Sequence, residues 1–341
     1  MKKPLLIMIF VLAMSAPAWA ADYKPVVVAH RGASGYLPEH TLEAKALAHG
    51  LNADYLEQDV VFTSDNVLVV LHDHTLETTT NVAEKFPGRQ RKDGSYYAID
   101  FTFDEIRSLA VTERFQPNTG QAVFEGRFPV DSGLNFTVPT LEEEIKFIAG
   151  LNKATGKNVG LYVEIKEPAF HEREGKDITR ATIDLLTQYG YNQKDANIIL
   201  QIFDYDAVKK SRDLGWLAPL AMLVDLEGQL LTNDTDIHKW LITKEGIEEV
   251  AKYADIYAPW FGYMAVATEG GKGYSIEPFY QWAREAGMQV HTWTHRSDAL
   301  TAGFPTEEAM FDTIFQEMKL DGLFSDFPDR PLAYLKTKGL R

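Results

Sequence analysis

The chain contains no cysteine. Disulfides, thiolate nucleophiles and thiolate metal ligands are therefore excluded, and so is a lipoprotein anchored through an N-terminal cysteine. Beyond the N-terminus no uninterrupted apolar run approaches ~18 residues, so no later stretch reads as membrane-spanning. Positive charge is scarce: 34 Lys and Arg stand against 49 Asp and Glu, a formal net charge of −15. That balance argues against nucleic acid and anionic membrane surfaces as partners. An anionic small molecule would need a local island of positive charge. No G-x-G-x-x-G follows the first apolar strand, which speaks against a dinucleotide-binding doubly wound sheet. At 341 residues without cross-links, the fold must rest on a large core, and the chain is long enough to build one.

What is present begins with a leader. Lys2 and Lys3 precede an apolar stretch from Leu5 to Met14, and Ala18-Trp19-Ala20 offers small residues for cleavage. Residues 1–20 read as a secretory signal peptide cut after Ala20, too short for a membrane span. Strands then alternate with helices. Strand-like runs centre near residues 28, 58, 163, 200, 221, 257, 291 and 323, most of them followed by helical periodicity. Thr41 is a candidate cap of a helix ending at Gly50, and Pro139-Thr140 opens another. Such alternation implies parallel strands, and eight of them imply a closed (β/α)₈ TIM barrel. Val67 to Leu71 returns from the second strand as a hairpin. Residues 73–138, rich in Thr, Gly, Pro, Arg and aromatics, are too long for an ordinary connection. They read as a small inserted subdomain, leaving 21–72 and 139–341 as the barrel.

The chemistry-bearing residues fall at strand ends. Glu57 and Asp59 lie two apart on one strand, hence on one face. A lone Glu-x-Asp is more often a solvated strand face, but this one follows a strand ending in His30-Arg31 and precedes a hairpin ending in His72. The next strand carries Glu164 and Lys166 on one face, the fourth ends in Gln201 and Phe203, the seventh in Trp293, and the eighth in Ser325-Asp326. Three clustered carboxylates suit a hard divalent cation, Ca²⁺ or Mg²⁺, whereas zinc would want more histidine nitrogen. Arg31 and Lys166 suit a phosphate. His30 and His72 can divide proton transfer between them. Together this is equipment for phosphoryl transfer or phosphodiester cleavage. His291 reads as buried structure. His171, His238 and His295 sit in polar contexts and carry no signal.

His30-Arg31-Gly32, Pro38-Glu39-His40-Thr41, Glu57-Gln58-Asp59-Val60, Leu71-His72-Asp73, Val163-Glu164-Ile165-Lys166 and Trp293-Thr294 together resemble the glycerophosphodiester phosphodiesterases. The insert and the leader make the chain similar to the periplasmic bacterial type. The resemblance spans about Val26 to Pro328, and departs at His40, where the family commonly has Asn. It implies hydrolysis of glycerophosphodiesters, deacylated phospholipids such as glycerophosphocholine and glycerophosphoethanolamine, to sn-glycerol 3-phosphate and an alcohol. By motif position, Glu57, Asp59 and Glu164 would hold one divalent cation, Ca²⁺ first and Mg²⁺ as the alternative. His30 and His72 would be acid and base, Arg31 and Lys166 would grip phosphate, and Phe203 and Trp293 would shape the glycerol pocket. The expected location is the periplasm, the expected partner a small-molecule substrate, and a homodimer is left open. The competing reading is a phospholipase with an apolar rim, for which the insert offers Phe101, Phe103, Phe115, Phe124 and Phe128. Because the barrel carries every group named here, the insert is expected to govern substrate selection more than chemistry.

Overall fold

The computed structural model describes residues 23–226, 235–271 and 273–341, so the leader expected over 1–20 lies outside the described residues. Eight parallel strands close on themselves: β1 (Val26–Ala29), β2 (Tyr55–Phe62), β3 (Gly160–Ile165), β4 (Ile198–Ile202), β5 (Leu220–Val224), β6 (Ile256–Pro259), β7 (Gln289–His295) and β8 (Gly322–Ser325). Closure is made by β1, which pairs with β8 from Val26–Gly322 to Ala29–Ser325 and with β2 at Val28–Tyr55 and Ala29–Leu56. A (β/α)₈ barrel results, as the alternation predicts. Among the described residues no helix is long and apolar enough to cross a membrane.

The strands are apolar on both faces because both are covered. Their outward residues, such as Leu56, Val60, Val163 and Leu200, pack under the surrounding helices in the main core. The inward residues Val28, Tyr162, Ile199, Ala221, Ile256 and Phe324 fill the barrel itself. With a side-chain period of two, the inward faces of β2 and β3 continue upward as Glu57, Asp59 and Glu164. The register Asp59–Glu164 and Glu164–Gln201 sets these side chains abreast near the C-terminal rim, the end where such barrels place chemistry.

Helix starts are local events here. Thr41 caps Leu42–Gly50 by accepting from the Ala44 N–H, and Thr140 with Glu143 forms a reciprocal capping box on Leu141–Thr155. The helix before β7 runs only over Phe279–Glu285, because Tyr274–Ile276 ahead of it pairs as a strand with Ala265–Ala267.

Residues 73–138 contain short helices at Val82–Lys85 and Phe103–Arg107 and a 3₁₀ turn at Ala98–Asp100. Their apolar residues, among them Leu76, Val82, Phe101, Ile106 and Leu109, form a separate cluster on Val61, Val69 and Leu71 of the hairpin. The segment leaves and returns at one place, since the Val70 N–H donates to the Pro139 carbonyl.

Candidate active site

The loop after β1 is built for proximity. Arg31 has φ 58° and Gly32 φ 88°, a left-handed pair that reverses the chain at once. A Cβ on Gly32 would come within 2.9 Å of the Ala44 backbone, so only glycine lets this loop lie on the following helix. That packing holds His30 and Arg31 over the barrel mouth. The Arg31 N–H donates to Glu57 Oε2 at 2.7 Å.

A cavity of about 280 Å³ opens there, lined among others by His30, Arg31, Glu57, His72, Glu164, Phe203 and Trp293. Asp59 and Lys166 stand behind that wall. All nine residues selected from the sequence therefore converge on one mouth. Ligand oxygens of Glu57, Asp59 and Glu164 lie within 4.8 Å of one another, and all three residues are buried. Such crowding is costly without a counter-charge. Burial and the neighbouring Asp59 push the Glu57 carboxyl up to about 8, and burial raises Glu164. Burial would raise Asp59 as well, but the Lys166 ammonium and His40 hold it below the ordinary carboxylate range. Asp59 Oδ1 and Gln201 Oε1 are buried oxygens with no hydrogen-bond partner. Hard oxygen donors, two of them unsatisfied, fit a hard divalent cation.

The two histidines share one arrangement. His30 Nδ1 is 2.6 Å from Asp326 Oδ1, and His72 Nδ1 is 2.6 Å from Asp73 Oδ1. Each aspartate fixes Nδ1 as the N–H and leaves Nε2 for other work. His30 Nε2 stands 3.9 Å from Glu57 Oε2. Burial, then the Arg31 charge, lowers His30 to about 4. His72 keeps 31% of its side chain exposed and is pushed the same way by desolvation and by Arg31 and Lys166.

Arg31 Nη1 donates to Glu39 at 3.0 and 3.1 Å while its side chain lines the cavity. Lys166 Nζ lies 2.7 Å from Glu164 Oε1 and 5.8 Å above the Phe203 ring. Trp293 meets Phe203 edge-on at 5.6 Å and donates its indole N–H to the Ala258 carbonyl. Trp260, Tyr263 and Asp225 complete that apolar end, with the Tyr263 hydroxyl donating to Asp225 at 2.6 Å.

Several contributors escaped the sequence reading. His40, the residue at the unusual position, is buried with Nε2 2.7 Å from Asp59 Oδ2. Lys45 is buried beneath the site, donating to the Glu57 carbonyl and facing Glu144 at 3.2 Å. Gln201, which the sequence already placed beside Phe203 at the end of the fourth strand, donates to Glu57 Oε1 at 3.0 Å. Every group named from the sequence lies in the barrel, and the insert adds contacts behind them. Arg114 and Arg127, both from the insert, bond the two aspartates that hold the histidines. No local pattern marks either.

Of the histidines set aside, His291 is buried as expected, and the three read in polar contexts are buried as well. His171 is buried, its Nδ1–H bonded to the Glu167 carbonyl and its Nε2 accepting from the Phe62 N–H. His295 is buried between Ser325 and Glu307, and His238 is buried too. Four of the five phenylalanines the insert offered for a phospholipase rim are not free apolar surface. Phe101 is fully buried, Phe103 and Phe128 pack on the insert's own core, and Arg127 covers Phe124 at 3.8 Å.

Comparison with known proteins accords with this geometry. The model of the glycerophosphoryl diester phosphodiesterase family matches residues 30–330. A glycerophosphodiester phosphodiesterase of Haemophilus influenzae is 42% identical over 91% of this chain and 90% of its own. One of Treponema pallidum is 37% identical over 91% of each chain. The crystal structure of a family protein from Silicibacter pomeroyi superposes with TM-score 0.68 at 23% identity, covering 93% of this chain and 95% of that one. An Oleispira antarctica phosphodiesterase, solved with its product sn-glycerol-3-phosphate, superposes at 0.61 with 20% identity, covering 93% and 99%.

Proposed function

Since the chain belongs to the glycerophosphoryl diester phosphodiesterase family, we propose that it hydrolyses glycerophosphodiesters such as glycerophosphocholine and glycerophosphoethanolamine to sn-glycerol 3-phosphate and an alcohol, by acid–base catalysis between His30 and His72. The observation that carries this reading is the shared cavity: two histidines with Nδ1 tied back lie beside three buried carboxylates. Glu57, Asp59 and Glu164 would hold one divalent cation, Ca²⁺ first, which when bound neutralises phosphate charge at the reacting phosphorus. Arg31 meets the phosphate from the cavity wall, and Lys166 adds positive potential from behind Glu164. One imidazole takes a proton from the attacking oxygen, that of water or of a glycerol hydroxyl, as the new P–O bond forms. The other, entering as the imidazolium, gives its Nε2 proton to the departing alkoxide as the old bond breaks; if a glycerol hydroxyl attacks first, water then opens the cyclic phosphate with the two roles exchanged. Phe203 and Trp293 flank the glycerol, and residues 73–138 act as an inserted subdomain closing one side of the mouth. The leader over 1–20 directs export to the periplasm, and N-terminal sequencing of the exported protein should begin at Ala21.

The decisive assay measures release of glycerol 3-phosphate from glycerophosphocholine by the purified protein. Chelation should abolish turnover and Ca²⁺ should restore it. Full turnover by metal-stripped protein would overturn the cation assignment, and no turnover under any ion would overturn the activity.

A further inference from the structure

The structure points to the insert as part of the proton-transfer machinery: we propose that Arg114 and Arg127 are positioning residues that orient His72 and His30 through Asp73 and Asp326. This rests on the acid–base reading of the two histidines given above.

The two assemblies have the same construction. Asp326 offers Oδ1 to His30 Nδ1 at 2.6 Å and Oδ2 to Arg127 Nη2 at 2.8 Å and Arg296 Nε at 3.0 Å. Asp73 offers Oδ1 to His72 Nδ1 at 2.6 Å and Oδ2 to Arg114 Nη1 at 2.6 Å and Thr78 Oγ1 at 2.8 Å. In each case one carboxylate oxygen faces the imidazole and the other is gripped by a guanidinium from the insert. The arginines are anchored in turn. Arg127 binds Asp298 through Nε and Nη2 at 2.7 and 2.9 Å, and its side chain is 4% exposed. Arg114 forks onto Glu39 at 2.6 and 3.0 Å, and Glu39 also holds Arg31.

A carboxylate held by one contact can rotate, whereas a carboxylate held on both oxygens cannot do so without losing a charge-assisted bond. The imidazole on its far side inherits that orientation. Correct tautomer and aim are what an aspartate supplies to a catalytic histidine, and displacements near 1 Å can cost ~10²-fold in rate. A folded insert would thus be a condition for fully aimed histidines.

The test is a pair of double-mutant cycles read on glycerophosphocholine. Arg127→Met leaves Asp326 Oδ2 to Arg296 alone and should lower kcat about 10-fold with KM nearly unchanged. Asp326→Asn should do the same, and the double variant should be no worse than Asp326→Asn alone. Arg114→Met and Asp73→Asn should behave likewise. Should a Met variant fail to fold, the Lys variant serves: it keeps the charge, loses the fork, and should still show the kcat loss without a KM change. An arginine effect that persists in full in the Asn background would overturn the proposal, because the loss would not pass through the aspartate. Unchanged kcat in both arginine variants would also overturn it. His30→Ala and His72→Ala are run alongside; if they retain turnover while the arginine variants do not, the acid–base reading is what fails.

Discussion

Histidine shows how the same side chain takes opposite roles in this molecule. His30 and His72 hold Nδ1 on an aspartate and line the cavity. His30→Ala and His72→Ala should each lower kcat by ~10²-fold or more with the fold intact; near-wild-type turnover by either variant would remove that residue from the mechanism. His171 has both ring nitrogens committed to backbone, including the Phe62 N–H at the end of β2. Burial lowers it to about 4, so it stays neutral and can accept that bond. His171→Ala strands a buried donor, which costs about 1–3 kcal/mol. Thermal unfolding should register that loss, while kcat of the folded variant stays at the wild-type value.

At the scale of the element, the site depends on how strands end. β2 and β3 deliver Glu57, Asp59 and Glu164 because inward residues recur every second position, and the barrel register sets Asp59 opposite Glu164. The loop after β1 depends on Gly32 instead. Gly32→Ala puts a side chain at φ 88° and a Cβ 2.9 Å from the Ala44 backbone. Left-handed strain alone costs about 1–3 kcal/mol. The loop must lift from the helix, carrying His30 and Arg31 with it. The expected result is a lower melting temperature together with reduced kcat, and a variant that lost stability but kept full turnover would contradict this account of the loop.

Across the whole molecule, the insert is fastened around the mouth rather than hung beside it. Arg114 reaches Glu39 after β1, Arg91 forks onto Glu174 after β3, and Arg127 reaches Asp298 after β7 and Asp326 after β8. Enclosure has an electrostatic consequence at Glu113, which lies in the insert with one carboxylate oxygen buried and unpartnered. Burial, and then the neighbouring Glu39, pushes its carboxyl up to about 8. A folded-state value above the unfolded one favours the protonated, folded protein. Its contribution is complete below the unfolded carboxyl value of 4.5 and disappears as pH rises through about 8. Melting temperature should therefore fall across that window, and Glu113→Gln should flatten the fall and be the more stable protein at its alkaline end. An equal slope in the two proteins would show that Glu113 is not the titrating group.

What the sequence determined by itself is what depends on near neighbours. The period of two put Glu57 with Asp59, Glu164 with Lys166, and Gln201 with Phe203. Thr41 and Thr140 announced their helices because a cap acts over three residues. Alternation of strand and helix was enough for the barrel, since parallel strands need crossovers. The tertiary structure alone decided the partners. Arg127 and Asp326 are 199 residues apart and Arg114 and Asp73 are 41 apart, and no periodicity joins them. His171 carried no signal because its neighbours in sequence are polar, yet its neighbour in space is the Phe62 amide. Burial and hydrogen bonding are properties of the closed barrel and its docked insert, and they exist only once long-range pairing has brought those surfaces together.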